Sequence, residues 1–122
     1  KNRNKPERKK TKQEKQIFKR FNTLYKNLHI EQKAVEGFLA LNSEQQLKAE
    51  KLIHSLDIDP GQVKVKRKVF LKKGDSNVLE TEFAYYGRLY WKMNSDGKVH
   101  VITIGTKDSQ KRDLGYVENI AG

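Results

Sequence analysis

The chain has 122 residues, enough for one small domain and short of two. Its 26 Lys and Arg against 15 Asp and Glu give a formal charge of +11, and only 35% of it is hydrophobic, so part of the length is expected to lie outside the core. The absence of cysteine excludes disulfide frameworks, thiol catalysis and thiolate zinc fingers. Apolar runs such as Val69-Phe70-Leu71 fall far short of the ~20 residues of a membrane span, and no apolar stretch follows the basic start, so neither a membrane helix nor a signal peptide is expected. What remains is a small basic protein with an anionic partner, nucleic acid first, expected in the cytoplasm.

Residues 1 to 20 carry ten Lys/Arg and two Glu, a net of +8. Residues 1–16 are expected to form a basic arm, disordered or a frayed helix, serving either as a linker or as a tracker of phosphates. Residues 17–122 are expected to form the single folded domain. Lys1 is not a methionine, so the chain is expected to be a piece of a longer protein.

Ile17, Phe18, Phe21, Leu24, Tyr25 and Leu28 recur at helical spacing and predict one amphipathic helix. Ile30, Ala34, Val35, Phe38 and Leu39 predict a second, from about Glu31 to Leu41. Ser43, with Gln46 three residues later, predicts a capping box opening a third. Ala49, Leu52, Ile53 and Leu56 form its apolar face, and Asp59-Pro60-Gly61 ends it.

The period then changes from 3.6 to 2. Val63, Val65, Val69 and Leu71 predict a strand, and Gly74 to Asn77 a turn. Leu79 to Tyr85 predicts the next strand, joined through a short Tyr86-Gly87 connection to another that carries Leu89, Trp91 and Met93. Asp96-Gly97 marks a tight hairpin, and Val99 to Ile104 follows as a strand stopped by Gly105. Lys107 to Asn119 reads as a polar loop and a short helix. The connections are too short for helical crossovers, so the class is α+β: N-terminal helices on a four-stranded, mainly antiparallel sheet, with a short C-terminal helix.

Glu80 and Glu82 share one strand face, and Arg88, Tyr90 and Lys92 share one face of the next. Pairing of these strands sets carboxylates, a guanidinium, a phenol and an ammonium side by side, opposite the face of Leu79, Phe83, Leu89, Trp91 and Met93. Such groups can run RNA cleavage without a metal: a base takes the 2′-hydroxyl proton, an acid protonates the leaving 5′-oxygen, and cations steady the phosphorus. The same residues also fit a half-exposed sheet face laced with cross-strand ion pairs. Lys64, Lys66, Arg67 and Lys68 offer either edge protection or a phosphate-binding stripe. Tyr85, Tyr86 and Tyr90 suit base stacking as well as core packing. His29, His54 and His100 are scattered and show no ligand spacing, so no metal and no cofactor is expected.

From Phe38 onward the chain resembles the RelE/ParE toxin superfamily. The resemblance lies in Gly87-Arg88-Leu89-Tyr90-Trp91, in Asp96-Gly97-Lys98-Val99-His100-Val101-Ile102-Thr103-Ile104-Gly105, and in Leu79-Glu80-Thr81-Glu82-Phe83. Thr106-Lys107-Asp108-Ser109-Gln110-Lys111-Arg112-Asp113-Leu114 is similar to the Lys-x-x-Gln-x-x-Asp-Ile segment of the HigB-like killer branch. The resemblance implies a helical pair packed on a curved antiparallel sheet, and a toxin that cleaves mRNA, often on the ribosome, under the control of a cognate antitoxin or immunity protein. A ParE branch poisons DNA gyrase instead. By position, Arg88 would hold the scissile phosphate, Lys107 would be the basic residue after the last strand, and Glu82 or Glu80 would take a catalytic place, with Tyr90 beside them. Lys64, Lys66, Lys68, Lys92, Lys111 and Arg112 are the expected RNA contacts. Three features depart from the family. It opens with a strand before its helices, where residues 17–41 here read as helix; the basic arm is an addition; and its arginine at the end of the Glu80–Phe83 strand is Ala84 or Tyr85 here.

Overall fold

The computed structural model describes residues 10–72 and 77–121. The expected arm falls mostly outside them, as does the core of the Gly74–Asn77 turn. The fold is α+β. Helix α1 (Lys12–Leu24) is followed by strand β1 (Leu28–Ile30), then by helices α2 (Gln32–Leu39) and α3 (Ser43–Ile58). Strands β2 (Arg67–Lys68), β3 (Leu79–Phe83), β4 (Gly87–Met93) and β5 (Val99–Thr106) run as a meander, and α4 (Gln110–Ala121) closes the chain. The sheet has five strands in the order β1-β5-β4-β3-β2, with β1 parallel to β5 and the other pairs antiparallel.

The extra strand corrects the expected count of four. Leu28 and Ile30 alternate about His29, and their apolar pattern also fits the helical stripe of the preceding segment. The β5 edge decides between the two, because it supplies backbone partners and buries both residues. The α1 helix starts at Lys12, inside the stretch expected to be arm. Thr11 Oγ1 accepts the Glu14 N–H at 3.0 Å, and Glu14 Oε1 accepts the Thr11 N–H at 2.9 Å, so two otherwise unpaired donors are satisfied. The α3 capping box is one residue earlier than expected. Asn42 Oδ1 accepts the Gln45 N–H at 2.8 Å, and the Asn42 N–H donates to Gln45 Oε1 at 3.1 Å. Asparagine caps as well as serine does, and Ser43 becomes the first helical residue.

Helices α1, α2 and α3 cover one face of the sheet. Phe21, Phe38 and Ile53 pack there with Phe83, Leu89, Trp91, Val101 and Ile104. Helix α2 lies so close to β5 that a Cβ on Gly37 would overlap the Ile104 carbonyl. Helix α4 covers the other face, where Val117 packs with Val69, Leu71, Val78, Tyr90 and Ile102. That second layer corrects the reading of this face as half-exposed. The expected Val63–Leu71 strand shrinks to two ladder residues: Val69 and Leu71 are buried under α4, and Val65 is exposed. A β-bulge between Tyr90 and Trp91 spends one residue of β5, so Ile102 faces α4 while Ile104 returns to the α2 side.

Candidate functional site

The β3–β4 register sets Glu80 opposite Tyr90 and Glu82 opposite Arg88. All four share one face of the sheet, as their spacing predicts, and the docking of α4 on that face is the addition the structure makes. Glu80 is fully buried, its two oxygens accept from three donors, and Arg88 Nε, buried without a hydrogen-bond partner, adds only an ion pair. Tyr90 Oη donates at 3.0 Å, Gln110 Nε2 of α4 donates at 2.7 Å, Arg67 Nε of β2 forms a short bond, and Arg88 Nε lies at 3.6 Å. Burial first, and the Glu80 carboxylate second, push the Tyr90 phenol well above the usual tyrosine range. The Tyr90 hydroxyl thus stands as a buried donor to the Glu80 carboxylate.

Arg88 is also buried, with a side chain only 6% exposed, whereas half-exposure would suit a free phosphate clamp. Its Nη1 donates to the Gly87 carbonyl at 2.9 Å, and its Nη2 reaches Glu82 at 3.3 Å. Glu82 is 45% exposed and is the outer member of the cluster. Lys66 Nζ stands 3.1 Å from it. That hydrogen bond, with Lys64 and Arg88 adding to it, holds the Glu82 carboxyl below the usual range. The site is thus a chain of ion pairs from buried Glu80 through Arg88 to exposed Glu82 and Lys66.

The other expected residues lie around it. Lys64 and Lys68 are exposed along the β2 edge, and Lys92 is half-buried opposite His100. Lys111 and Arg112 are exposed on the first turn of α4. Lys107 stands over the Tyr86 ring at 6.0 Å, and its N–H donates to the Tyr86 carbonyl at 2.8 Å. Tyr86 stacks on Tyr85, which is 90% exposed at the tip of the β3–β4 turn. The backbone turns through Ala84 at φ 52°, a left-handed conformation that costs a non-glycine residue roughly 1–2 kcal/mol.

Two partners of Glu80 were not singled out as site residues. Arg67 lies in the lysine-rich stretch, and Gln110 in the segment similar to the killer branch. Gln110 bonds Glu80, whereas Asp113 packs against Gly105, where a Cβ would overlap its carboxylate, and accepts from Ser109 Oγ at 2.7 Å.

Burial raises the Asp113 carboxyl above the usual range. A carboxyl raised in the folded state favours folding fully below its unfolded pKa of ~3.9 and loses that contribution as pH rises through the folded value. Asp113→Asn removes the titration. Its thermal midpoint is expected above that of the wild type at about pH 7, with the gap closing near about pH 4. A gap independent of pH would show that Asp113 does not carry the effect.

No family model matches the chain, and no curated protein or solved structure matches it. Among the described residues, no helix is long and apolar enough to cross a membrane.

Proposed function

We propose that the protein is a RelE-like toxin, a metal-independent endoribonuclease that cleaves RNA, with a cognate antitoxin or immunity protein as its restraint. The observation that carries the reading is the Glu82–Lys66–Arg88 group, an exposed base-and-cation pair backed by a buried guanidinium. The element order supports it as well. Strand β1 precedes the α2–α3 pair and the β2–β5 meander follows, so the missing first strand no longer separates this chain from the family pattern.

The chemistry runs through charge exchange. An RNA phosphate takes Lys66 and the outer edge of Arg88 away from Glu82. Without those cations the Glu82 carboxyl rises and becomes a stronger base. Glu82 takes the 2′-hydroxyl proton and the 2′-oxygen attacks phosphorus. The bond to the 5′-oxygen breaks and Lys66 protonates that oxygen, leaving a 2′,3′-cyclic phosphate. Arg88 balances the added charge on phosphorus.

The burial of Arg88 and Glu80 favours a second reading, an RNA-binding module without cleavage. Incubating the protein with single-stranded RNA in EDTA separates the two. Cleavage to cyclic-phosphate ends that is lost in Glu82→Gln supports the nuclease. Binding without cleavage supports the module.

A further inference from the structure

At the opposite edge of the sheet from this cluster, β1 and β5 bring two distant histidines together. His29 and His100 are direct partners in the parallel β1–β5 register. Their rings lie 5.6 Å apart between centroids. Glu31 follows β1 by one residue, and its N–H is held by the Val101 carbonyl at 3.0 Å, so its side chain leaves a fixed point of the backbone. Glu31 Oε2 lies 2.6 Å from His100 Nε2 and 3.9 Å from His29 Nε2, and one ligand atom from each of the three residues falls within 4.8 Å of the others.

We infer that His29, Glu31 and His100 form a binding site for a zinc ion. Imidazole nitrogen and carboxylate oxygen bind Zn²⁺ at roughly 2.0–2.2 Å, which in a tetrahedral site sets ligand atoms roughly 3.3 Å apart. The Glu31–His100 and Glu31–His29 separations of 2.6 and 3.9 Å straddle that value, so the closure the ion asks for is within the reach of side-chain rotation. Three protein ligands leave a fourth position, and the exposure of His29 gives water access to it. Two imidazoles and one carboxylate suit zinc better than calcium or magnesium, which select oxygen. The ion would take the place of the His100–Glu31 hydrogen bond and clamp β1 onto β5 at the entrance to α2. The site does not depend on the RNA reading, since His29, Glu31 and His100 share no residue with the Glu82–Lys66–Arg88 group.

The background for a test is low, because the chain holds three histidines and no cysteine. Zinc chloride is titrated into the full chain by calorimetry, and thermal midpoints are read with zinc and with EDTA. One equivalent is expected to bind, and the midpoint is expected to rise with zinc and fall back with EDTA. His29→Ala, Glu31→Gln and His100→Ala are each expected to weaken binding by about tenfold or more, while His54→Ala leaves it unchanged. His29 is exposed, so its variant keeps the fold even where His100→Ala loses it, and circular dichroism checks both. No heat of binding in the wild type, or binding unchanged in folded His29→Ala, overturns the inference.

Discussion

Trp91→Ala is expected to cost about 3–5 kcal/mol, a large share of the stability of so small a domain. Trp91 is 3% exposed and sits in the layer under α1, α2 and α3, with Leu89, Phe83 and Val101 on the same face. Its Nε1 donates to Thr81 Oγ1 of β3 at 2.9 Å, so the ring fills volume and also pairs a buried polar group. Alanine leaves a cavity between sheet and helices and strips the Thr81 hydroxyl of its donor. Urea denaturation of the two proteins measures the loss. In the wild type, the single tryptophan should emit at short wavelength and shift to the red on unfolding. A loss below about 1 kcal/mol would mean that the helices pack on the sheet without this ring.

The face of Trp91 was legible from strand alternation alone, because Leu79, Phe83 and Leu89 share its parity and the strands pair as their short turn requires. The opposite face was not. Glu80, Glu82, Arg88 and Lys92 give it the polarity of a solvated surface, and only Val69, Leu71, Val78, Tyr90 and Ile102 mark it as a place where a helix can dock. Helix α4 brings few apolar residues of its own, Leu114, Tyr116 and Val117, so its segment reads as polar. What holds this layer is in large part the satisfaction of one buried carboxylate by residues from β2, β4 and α4. Pairings of that kind join residues up to 30 positions apart and leave no periodicity in the sequence. The same holds for His29 and His100, which are 71 positions apart and become neighbours only because β1 joins β5 in parallel. The strand Leu28–Ile30 escaped for a related reason: three residues are too few to show a period of 2 against the helical stripe running into them.

Arg88→Ala is expected to lower both stability and activity, and the two losses have different causes. Half-exposed, Arg88 would leave stability nearly untouched when removed, but it is buried between two carboxylates. Removing one partner of a buried pair costs ~3–5 kcal/mol when nothing else compensates. Glu80 keeps Tyr90, Gln110 and Arg67, so the expected loss is lower, about 2 kcal/mol. On the proposed nuclease reading, cleavage by the folded protein is expected to fall on the order of 10²-fold or more, because the charge proposed to balance the phosphorus is gone. Two further variants separate the causes. Arg88→Lys keeps the charge and loses the planar fork, so it should retain part of the stability and little of the activity. Glu82→Gln acts on an exposed carboxylate, so it should abolish cleavage with stability almost unchanged. Denaturation curves and RNA-cleavage rates on the same four preparations decide the matter. Cleavage that survives in folded Arg88→Ala removes the guanidinium from the chemistry. A set in which activity tracks only the folded fraction makes the whole Glu80–Arg88–Glu82 chain of ion pairs a device for docking α4.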